Sequence, residues 1–224
     1  MNVALIAVSQ PTIFVPDSDP QRRLTAEELI VYCARVSNPS NQLNLDTGHK
    51  LLHYCIRHGH WSVFETVSMT VEIQTSRAIA AQILRHRSFS FQEFSQRYAV
   101  AAGGSEPIEL RWKGGTNRQG SGGLSQDPEA DALVAESIAK AEETYAALID
   151  AGVAPECARF VLPLATKTTL YMTGSVRSWI HYLQQRLSLH AQKEHRSVAQ
   201  VIGSIFADQF PITWAAVNDT TPSL

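Results

Sequence analysis

Residues 64–75 alternate between apolar and polar side chains. Val67, Met69, Val71 and Ile73 are separated by single polar residues. Successive side chains of a β-strand point to opposite faces, so this pattern predicts a half-buried strand. The chain therefore has to build a sheet with one buried face, and the other elements must cover it.

Helical and strand patterns follow one another without a regular βαβ alternation. Strands are predicted at 1–8, 64–75 and 168–173, and helices at 25–36, 47–58, 76–87, 127–149, 155–160, 176–192 and 197–210. The 224 residues are 44% hydrophobic, which is enough to bury a substantial core. We predict the α+β class, as a single domain over residues 1–224 with a mostly antiparallel sheet flanked by helices.

Two segments are predicted to lie outside the regular elements. Residues 101–128 hold 7 of the 12 glycines, which predicts a Gly-rich flexible loop with a short strand near 108–112. Pro211 and the polar residues after it predict a tail over 211–224 that ends the fold.

The chain lacks the marks of secretion or membrane insertion. Its longest N-terminal apolar stretch, Val3 to Val8, is far too short for a signal peptide or a membrane span. The three cysteines are odd in number and spaced without pattern, which argues against a disulfide framework. We expect a cytoplasmic protein with free thiols and no membrane partner.

The basic residues are unevenly divided, with 14 Arg and 5 Lys in a chain of formal net charge -2. The net charge argues against a nucleic-acid partner. An excess of Arg suggests bidentate recognition of phosphate or carboxylate, although gene composition can also produce it. Neither a GxGxxG turn nor a P-loop is present, so bound phosphates would have to be held by side chains.

The most informative segment is RHRSFSFQEFSQRY, residues 85–98. Arg85, His86 and Arg87 stand at a predicted helix C-terminus, where the helix dipole alone favours cations. Ser95 and Arg97 follow, and serine beside arginine suits a phosphate pocket. Gln82 lies three residues before Arg85, on the same predicted helix face.

RHR followed by seven residues and Ser resembles the signature of the flavin-dependent thymidylate synthases. Three further segments match in order. They are His58-Gly59-His60 with Phe64-Glu65, the run Ala158-Arg159 to Leu162-Pro163, and Arg177-Ser178 with Arg186 and His190-Ala191-Gln192. The resemblance covers residues 50–210. It implies conversion of dUMP to dTMP, with 5,10-methylenetetrahydrofolate as carbon donor and NADPH-reduced FAD as hydride donor. It also implies a homotetramer with active sites at the subunit interfaces.

The resemblance assigns site residues to both ligands. For FAD it implies Ser62, Arg85, His86, Arg87, Glu93, Ser175, Arg177 and His181. For dUMP it implies Gln82, Arg85, Glu93, Phe94, Ser95, Gln96, Arg97, Arg159 and Arg186, with the turn from Glu93 to Arg97 supplied by a neighbouring subunit. Arg186 is the expected catalytic residue, because a permanent cation near the uracil would stabilise charge as N3 loses its proton. His60 is a second catalytic candidate, for the folate side of the flavin or for proton handling.

Alternatives remain open at this point. Ser175 and His181 stand where Asn is frequent in the family, so a flavin- or nucleotide-binding homologue without synthase activity is the runner-up. An RNA-binding domain is opposed by the net charge. Ser95 has no triad-like partners for a nucleophile. His49 and His53 are spaced to ligate a metal but have no clear third ligand, so no metal site is predicted.

Overall fold

The computed structural model describes residues 1–16, 18–101, 103–115 and 120–220. Four strands form one sheet in the order β1–β2–β6–β3, with bounds Asn2–Val8, Ser68–Ser76, Lys167–Ser175 and Ser90–Glu93. The helices are α1 Ala26–Ala34, α2 Gly48–Arg57, α3 Arg77–Ile83, α4 Pro128–Asp150, α5 Pro155–Ala158, α6 Val176–Arg186, α7 Lys193–Gln209 and α8 Pro211–Thr220.

Backbone hydrogen bonds at both ends of the β2–β6 pair give its direction. The Val176 N–H donates to the Val67 carbonyl at one end, and the Arg77 N–H donates to the Thr166 carbonyl at the other, each at 2.9 Å. The numbers therefore rise along one strand as they fall along the other, which is the antiparallel arrangement. The predicted α+β class with an antiparallel sheet is confirmed.

The alternating segment is a strand over most of its predicted length. Met69, Val71 and Ile73 are buried, whereas Ser68 and Gln74 are exposed, so the half-buried strand is confirmed. Its predicted start at Phe64 is wrong. Phe64 belongs to a 3₁₀ helix, Trp61–Glu65, in which its side chain is fully buried. An apolar residue can be buried from a single turn as well as from a strand, and periodicity over a few residues does not separate the two.

The chain divides into two compact units. Unit 1 comprises residues 1–2, 73–85 and 92–170, and unit 2 comprises 3–72, 86–91 and 171–224. Unit 2 buries Trp179, Tyr182 and Phe206 completely or nearly so, and unit 1 buries Ile79 and Ile83. The prediction of one domain over residues 1–224 remains a prediction. In the described ranges no helix is both long and apolar enough to cross a bilayer.

Residues 211–224 were predicted to be a tail, and this is wrong for the part that the structure describes. Pro211–Thr220 form α8, which packs on α2 and α7. The Glu27 carboxylate of α1 accepts the backbone N–H groups of Ile212 (3.2 Å) and Thr213 (2.6 Å), so a distant residue caps this helix. A cap supplied 185 residues away leaves no local sequence signal. Residues 221–224 lie outside the described residues.

The glycine-rich segment also contains more regular structure than predicted. The expected strand is β4, Arg111–Lys113, and it pairs antiparallel with β5, Ser121–Leu124. The second strand was missed because its glycines disfavour a strand when read alone. The flexibility predicted for 101–128 stays a prediction, since residues 102 and 116–119 lie outside the described residues.

Two predicted helices are shorter than expected. α3 ends at Ile83, so Arg85 to Arg87 lie in turns after the helix. The helix predicted from Val176 to Gln192 stops at Arg186. The guanidinium of Arg196 donates to the carbonyls of Leu189 (3.2 Å) and Ala191 (3.5 Å), which holds the backbone between α6 and α7 in a non-helical path.

Candidate active site

Helix α6 carries three of the predicted site residues of unit 2, and a fourth directly precedes it. Ser175 is its N-cap, and the hydroxyl of Ser175 accepts the Ser178 N–H at 3.3 Å. Arg177, one turn before His181, pairs with the Glu65 carboxylate. The His181 ring lies 5.0 Å from the Trp61 ring. Burial, then the neighbouring Arg177 cation, lowers the pKa of His181.

Arg186, at the end of α6, is bonded to the central histidine of the RHR segment. Its Nε–H donates to the His86 Nε2 at 2.9 Å. Burial, then the Arg186 cation, lowers the pKa of His86 from 6.5 to about 4. His86 is therefore neutral near pH 7, and its unprotonated nitrogen serves as the acceptor for the predicted catalytic arginine.

Two aromatic side chains enclose this pair. The His86 ring lies 4.9 Å from the Tyr182 ring and 6.1 Å from the ring of His195 on α7, both edge-on. His195 is fully buried, and burial together with the Arg186 cation lowers its pKa from 6.5 to about 3. Burial also raises the pKa of Tyr182. Arg186 is thus the charged member of a cluster of neutral rings.

Phe89 anchors the segment 86–91. Its ring packs edge-on against Trp179 at 4.7 Å, and its N–H donates to the His86 carbonyl at 3.2 Å. A Cβ added to Gly174 of β6 would lie 2.4 Å from the Phe89 ring, so only glycine allows this approach. The Trp179 Nε1–H donates to the Met69 carbonyl at 3.0 Å. A packed aromatic layer therefore fixes where His86 lies.

His60 and Ser62 are exposed side chains at the start of the 3₁₀ helix Trp61–Glu65. The backbone before them turns at Gly59, whose φ of 68° favours glycine. The His60 N–H donates to the Cys55 carbonyl at 2.8 Å, and the Tyr54 and His60 rings are 5.5 Å apart. This arrangement fixes the backbone of His60 and leaves its ring accessible.

Arg85 in unit 1 and Arg87 in unit 2 are exposed cations. Within the described ranges neither side chain makes a hydrogen bond or an ion pair. The Arg85 N–H donates to the carbonyl of Gln82 at 3.3 Å, which keeps these two predicted dUMP residues adjacent in unit 1. The guanidinium donors of both arginines are available to an anionic ligand.

Glu93, at the end of β3, is engaged inside unit 1. Its carboxylate accepts from the Arg77 guanidinium at 2.7 Å and from the Thr168 hydroxyl at 2.9 Å. The next residue, Phe94, is fixed through its N–H to the Thr169 carbonyl at 2.8 Å. Gln96 is buried, whereas Ser95 is exposed and accepts the Tyr98 N–H at its carbonyl.

Two predicted dUMP arginines of unit 1 contact the same residue, Glu156 of α5. The Arg97 Nε–H donates to the Glu156 carboxylate at 2.8 Å, and the Arg159 Nε–H donates to the Glu156 carbonyl at 3.3 Å. The Arg97 and Glu156 side chains are 73% and 49% exposed, so solvent reaches this pair. The structure thus brings Arg97 and Arg159 together within unit 1.

Sequence reasoning missed several residues that position these groups. Tyr182 precedes Arg186 by one helical turn, a spacing that could have indicated a shared face. His195, Gly174 and Arg77 had no such signal, because each acts through a contact that is distant in sequence. The residues described include no group of three or more His, Cys, Asp or Glu side chains suited to a metal ion.

The profile of the family described as thymidylate synthase complementing protein matches residues 22–212. The probable flavin-dependent thymidylate synthase of Paramecium bursaria Chlorella virus 1 is 49% identical over 94% of this chain and 96% of the viral protein. The chain belongs to the flavin-dependent thymidylate synthase family. The matched range contains every predicted site residue of this family member.

Two further proteins are similar to this family member over nearly its whole length. The flavin-dependent thymidylate synthase of Synechocystis sp. is 49% identical over 97% of this chain and the full length of that protein. The crystal structure of the UMP/dUMP methylase PolB from Streptomyces cacaoi, bound with 5-Br dUMP, superposes with a TM-score of 0.82 at 28% identity. That match covers 97% of this chain and 94% of PolB.

Proposed function

We propose that this chain is an FAD-dependent thymidylate synthase. It methylates dUMP to dTMP, with 5,10-methylenetetrahydrofolate as carbon donor and NADPH as the source of reducing equivalents. The observation that carries the proposal is 49% identity, over nearly the full length, to two proteins named as flavin-dependent thymidylate synthases. PolB, of similar fold, binds a dUMP analogue in its crystal structure, which supports dUMP as the substrate.

The side chains around the RHR segment fit a dinucleotide cofactor. Arg85 and Arg87 are exposed and have no partner among the described residues, so each guanidinium is available to a phosphate of FAD. Arg177 and His181 share one face of α6, and the resemblance adds His86, Ser62, Glu93 and Ser175 to the set that would hold FAD. When bound, FAD supplies the hydride that completes the methyl group.

For dUMP, we propose Gln82, Arg85, Arg159 and Arg186 as binding residues, with Glu93, Phe94, Ser95, Gln96 and Arg97 contributed by a neighbouring subunit. The resemblance to the family implies a homotetramer, and this division places its active sites between subunits. Within one chain Arg97 and Arg159 both contact Glu156, so under this division the two arginines of one subunit would serve different active sites.

Arg186 is the proposed catalytic residue. Its guanidinium remains charged at any physiological pH, and it would stabilise the negative charge that develops on the uracil as N3 loses its proton. His60, exposed and adjacent to Tyr54, is proposed to act on the folate side of the flavin or to handle a proton.

The experiment measures flavin and product separately. The full-length protein should be yellow, its flavin spectrum should respond to dUMP, and NADPH oxidation should produce dTMP when 5,10-methylenetetrahydrofolate is present. Arg186→Ala should lower kcat by roughly 10²–10³-fold, the usual cost of removing one donor that stabilises developing charge. At saturating FAD it should still bind the flavin.

The matched control is Arg23→Ala, an exposed arginine that stacks on Phe14 and is not assigned to the site. It should retain wild-type turnover. Tight flavin binding without dTMP formation by the wild-type protein would contradict the proposal and favour the binding homologue. The second candidate is motivated by Ser175 and His181, which stand where Asn is frequent in the family. Ser175 caps α6, and His181 packs beside Trp61.

A further inference from the structure

The hydrogen bond between Arg186 and His86 fixes where the imidazole proton must be. A guanidinium has five N–H donors and no acceptor. Because the Arg186 Nε–H lies 2.9 Å from the His86 Nε2, that nitrogen must be the unprotonated one. The neutral imidazole then carries its proton on Nδ1.

We propose that Arg186 locks His86 as the Nδ1–H tautomer and that His86 thereby serves two ligands through its two nitrogens. Nε2 holds Arg186 in position toward dUMP, and Nδ1–H is left as a donor for a phosphate of the flavin cofactor. His86 is a positioning residue for Arg186 in this scheme. The inference rests on the proposed function for the identity of the two ligands, and on the geometry alone for the tautomer.

The surroundings of His86 favour a neutral ring. Tyr182 and His195 lie edge-on to it and Phe89 is 6.4 Å away. Among the described residues, the charged side chain bonded to the ring is Arg186. Protonation would place a second cation against the guanidinium in a partly buried site, and the pKa of His86 falls to about 4. At neutral pH His86 therefore has two neutral tautomers available, and the hydrogen bond from Arg186 selects the Nδ1–H form.

The remaining donors of the pair are free to act on ligands. Within the described ranges no residue bonds to the Nη1 or Nη2 groups of Arg186, nor to the Nδ1 of His86. One bond through Nε thus orients the guanidinium without using its terminal NH₂ groups.

The tautomer can be observed without turnover. In full-length protein labelled with ¹⁵N-histidine, NMR should report a protonated Nδ1 and an unprotonated Nε2 for His86, assigned by the signal that disappears in His86→Gln. Arg186→Met should convert His86 to the Nε2–H form or to a mixture. Arg177→Met, on the same helix, is the control and should leave the wild-type tautomer. An Nε2–H form in the wild type, or the same tautomer in Arg186→Met, would overturn the proposal.

Two amide substitutions separate the two roles. In Gln the terminal amide reaches the position of Nε2, and in Asn it reaches the position of Nδ1. His86→Gln should therefore keep kcat at saturating flavin and weaken flavin binding, whereas His86→Asn should keep flavin binding and lower kcat. Flavin affinity in His86→Gln and kcat in His86→Asn should each fall roughly tenfold or more, which corresponds to the loss of one hydrogen bond to a charged group.

A merely structural role for His86 predicts a different result. Both variants would then lose flavin affinity and turnover together, and this outcome contradicts the proposal. Because the NMR measurement needs no catalytic activity, failure of the tautomer is distinguishable from failure of the synthase function.

Discussion

Arg186 in unit 2 and Arg97 in unit 1 are both proposed to bind dUMP, yet their partners differ. Arg186 donates to a neutral imidazole among aromatic rings, one of which, His195, is fully buried. Arg97 donates to the Glu156 carboxylate, and both of these side chains are largely exposed to solvent. The first arrangement is fixed by packing, and the second by a salt bridge at the surface.

The difference shows two ways in which a chain can orient a cationic side chain toward a ligand: with a neutral hydrogen-bond acceptor, or with a carboxylate at the surface. A buried carboxylate would compete strongly with an incoming phosphate or uracil, and its desolvation would be costly. A neutral acceptor orients Arg186 without neutralising its charge. At the surface, an exposed pair contributes about 0–1 kcal/mol, so Glu156 can be displaced at little cost. We expect the two clusters to respond differently to substitution.

The largest expected effect is on the buried layer. Trp179 is fully buried and its indole N–H is bonded to Met69, so Trp179→Ala should lower the free energy of unfolding by about 3–5 kcal/mol. Urea denaturation at pH 7 measures it. Phe160→Ala, beside Arg159 and 82% exposed, is the matched control and should change that free energy by less than about 0.5 kcal/mol. Equal decreases in the free energy of unfolding of both variants would contradict the distinction between a packed aromatic layer and a solvent-exposed cluster.

Gly174→Ala tests the contact that holds the RHR segment. The new methyl group would lie 2.4 Å from the Phe89 ring, so the ring or strand β6 must shift, at a cost of about 1–3 kcal/mol in unfolding free energy. Gly123→Ala in β5 adds the same methyl group where no atom lies within 4 Å. It should be close to neutral. If Gly174→Ala is as stable as Gly123→Ala, Phe89 is not confined as the structure indicates.

The pH dependence of stability should report the buried histidines. The pKa values of His195 and His86 fall from 6.5 to about 3 and about 4, so between these values the unfolded chain binds more protons than the folded one. The free energy of unfolding therefore decreases as pH falls from about 6.5 toward 4. His195→Gln should make this slope shallower between pH 7 and 5, as measured by urea denaturation. An unchanged slope would show that His195 does not remain neutral on folding.

The candidate site could be predicted because four ordered segments resemble those of a known family. The RHR segment, Arg159, Arg177 and Arg186 were assigned from that resemblance and their ligand roles stay predictions, whereas the alternation in β2 located a half-buried strand. The supporting contacts could not be predicted, because each joins residues far apart in sequence. Glu27 caps α8, Gly174 admits Phe89, and Arg77 holds Glu93. Such contacts depend on the fold that they stabilise, so local propensity carries no trace of them.

The smallest expected effect on stability belongs to the exposed pair. Glu156→Gln removes the charge that faces Arg97 and keeps the backbone carbonyl that accepts from Arg159. The free energy of unfolding should change by less than about 1 kcal/mol, because both side chains are solvated.

Unlike a destabilising substitution, Glu156→Gln should strengthen the binding of dUMP. With its competing carboxylate removed, Arg97 should bind the dUMP phosphate more tightly, which would lower KM a few-fold and leave kcat unchanged. Glu143→Gln, which breaks the exposed Lys140 pair on α4, is the control for a generic charge effect and should leave KM unaltered. A KM that rises in Glu156→Gln would mean that the carboxylate positions Arg97 for dUMP and does not merely occupy it.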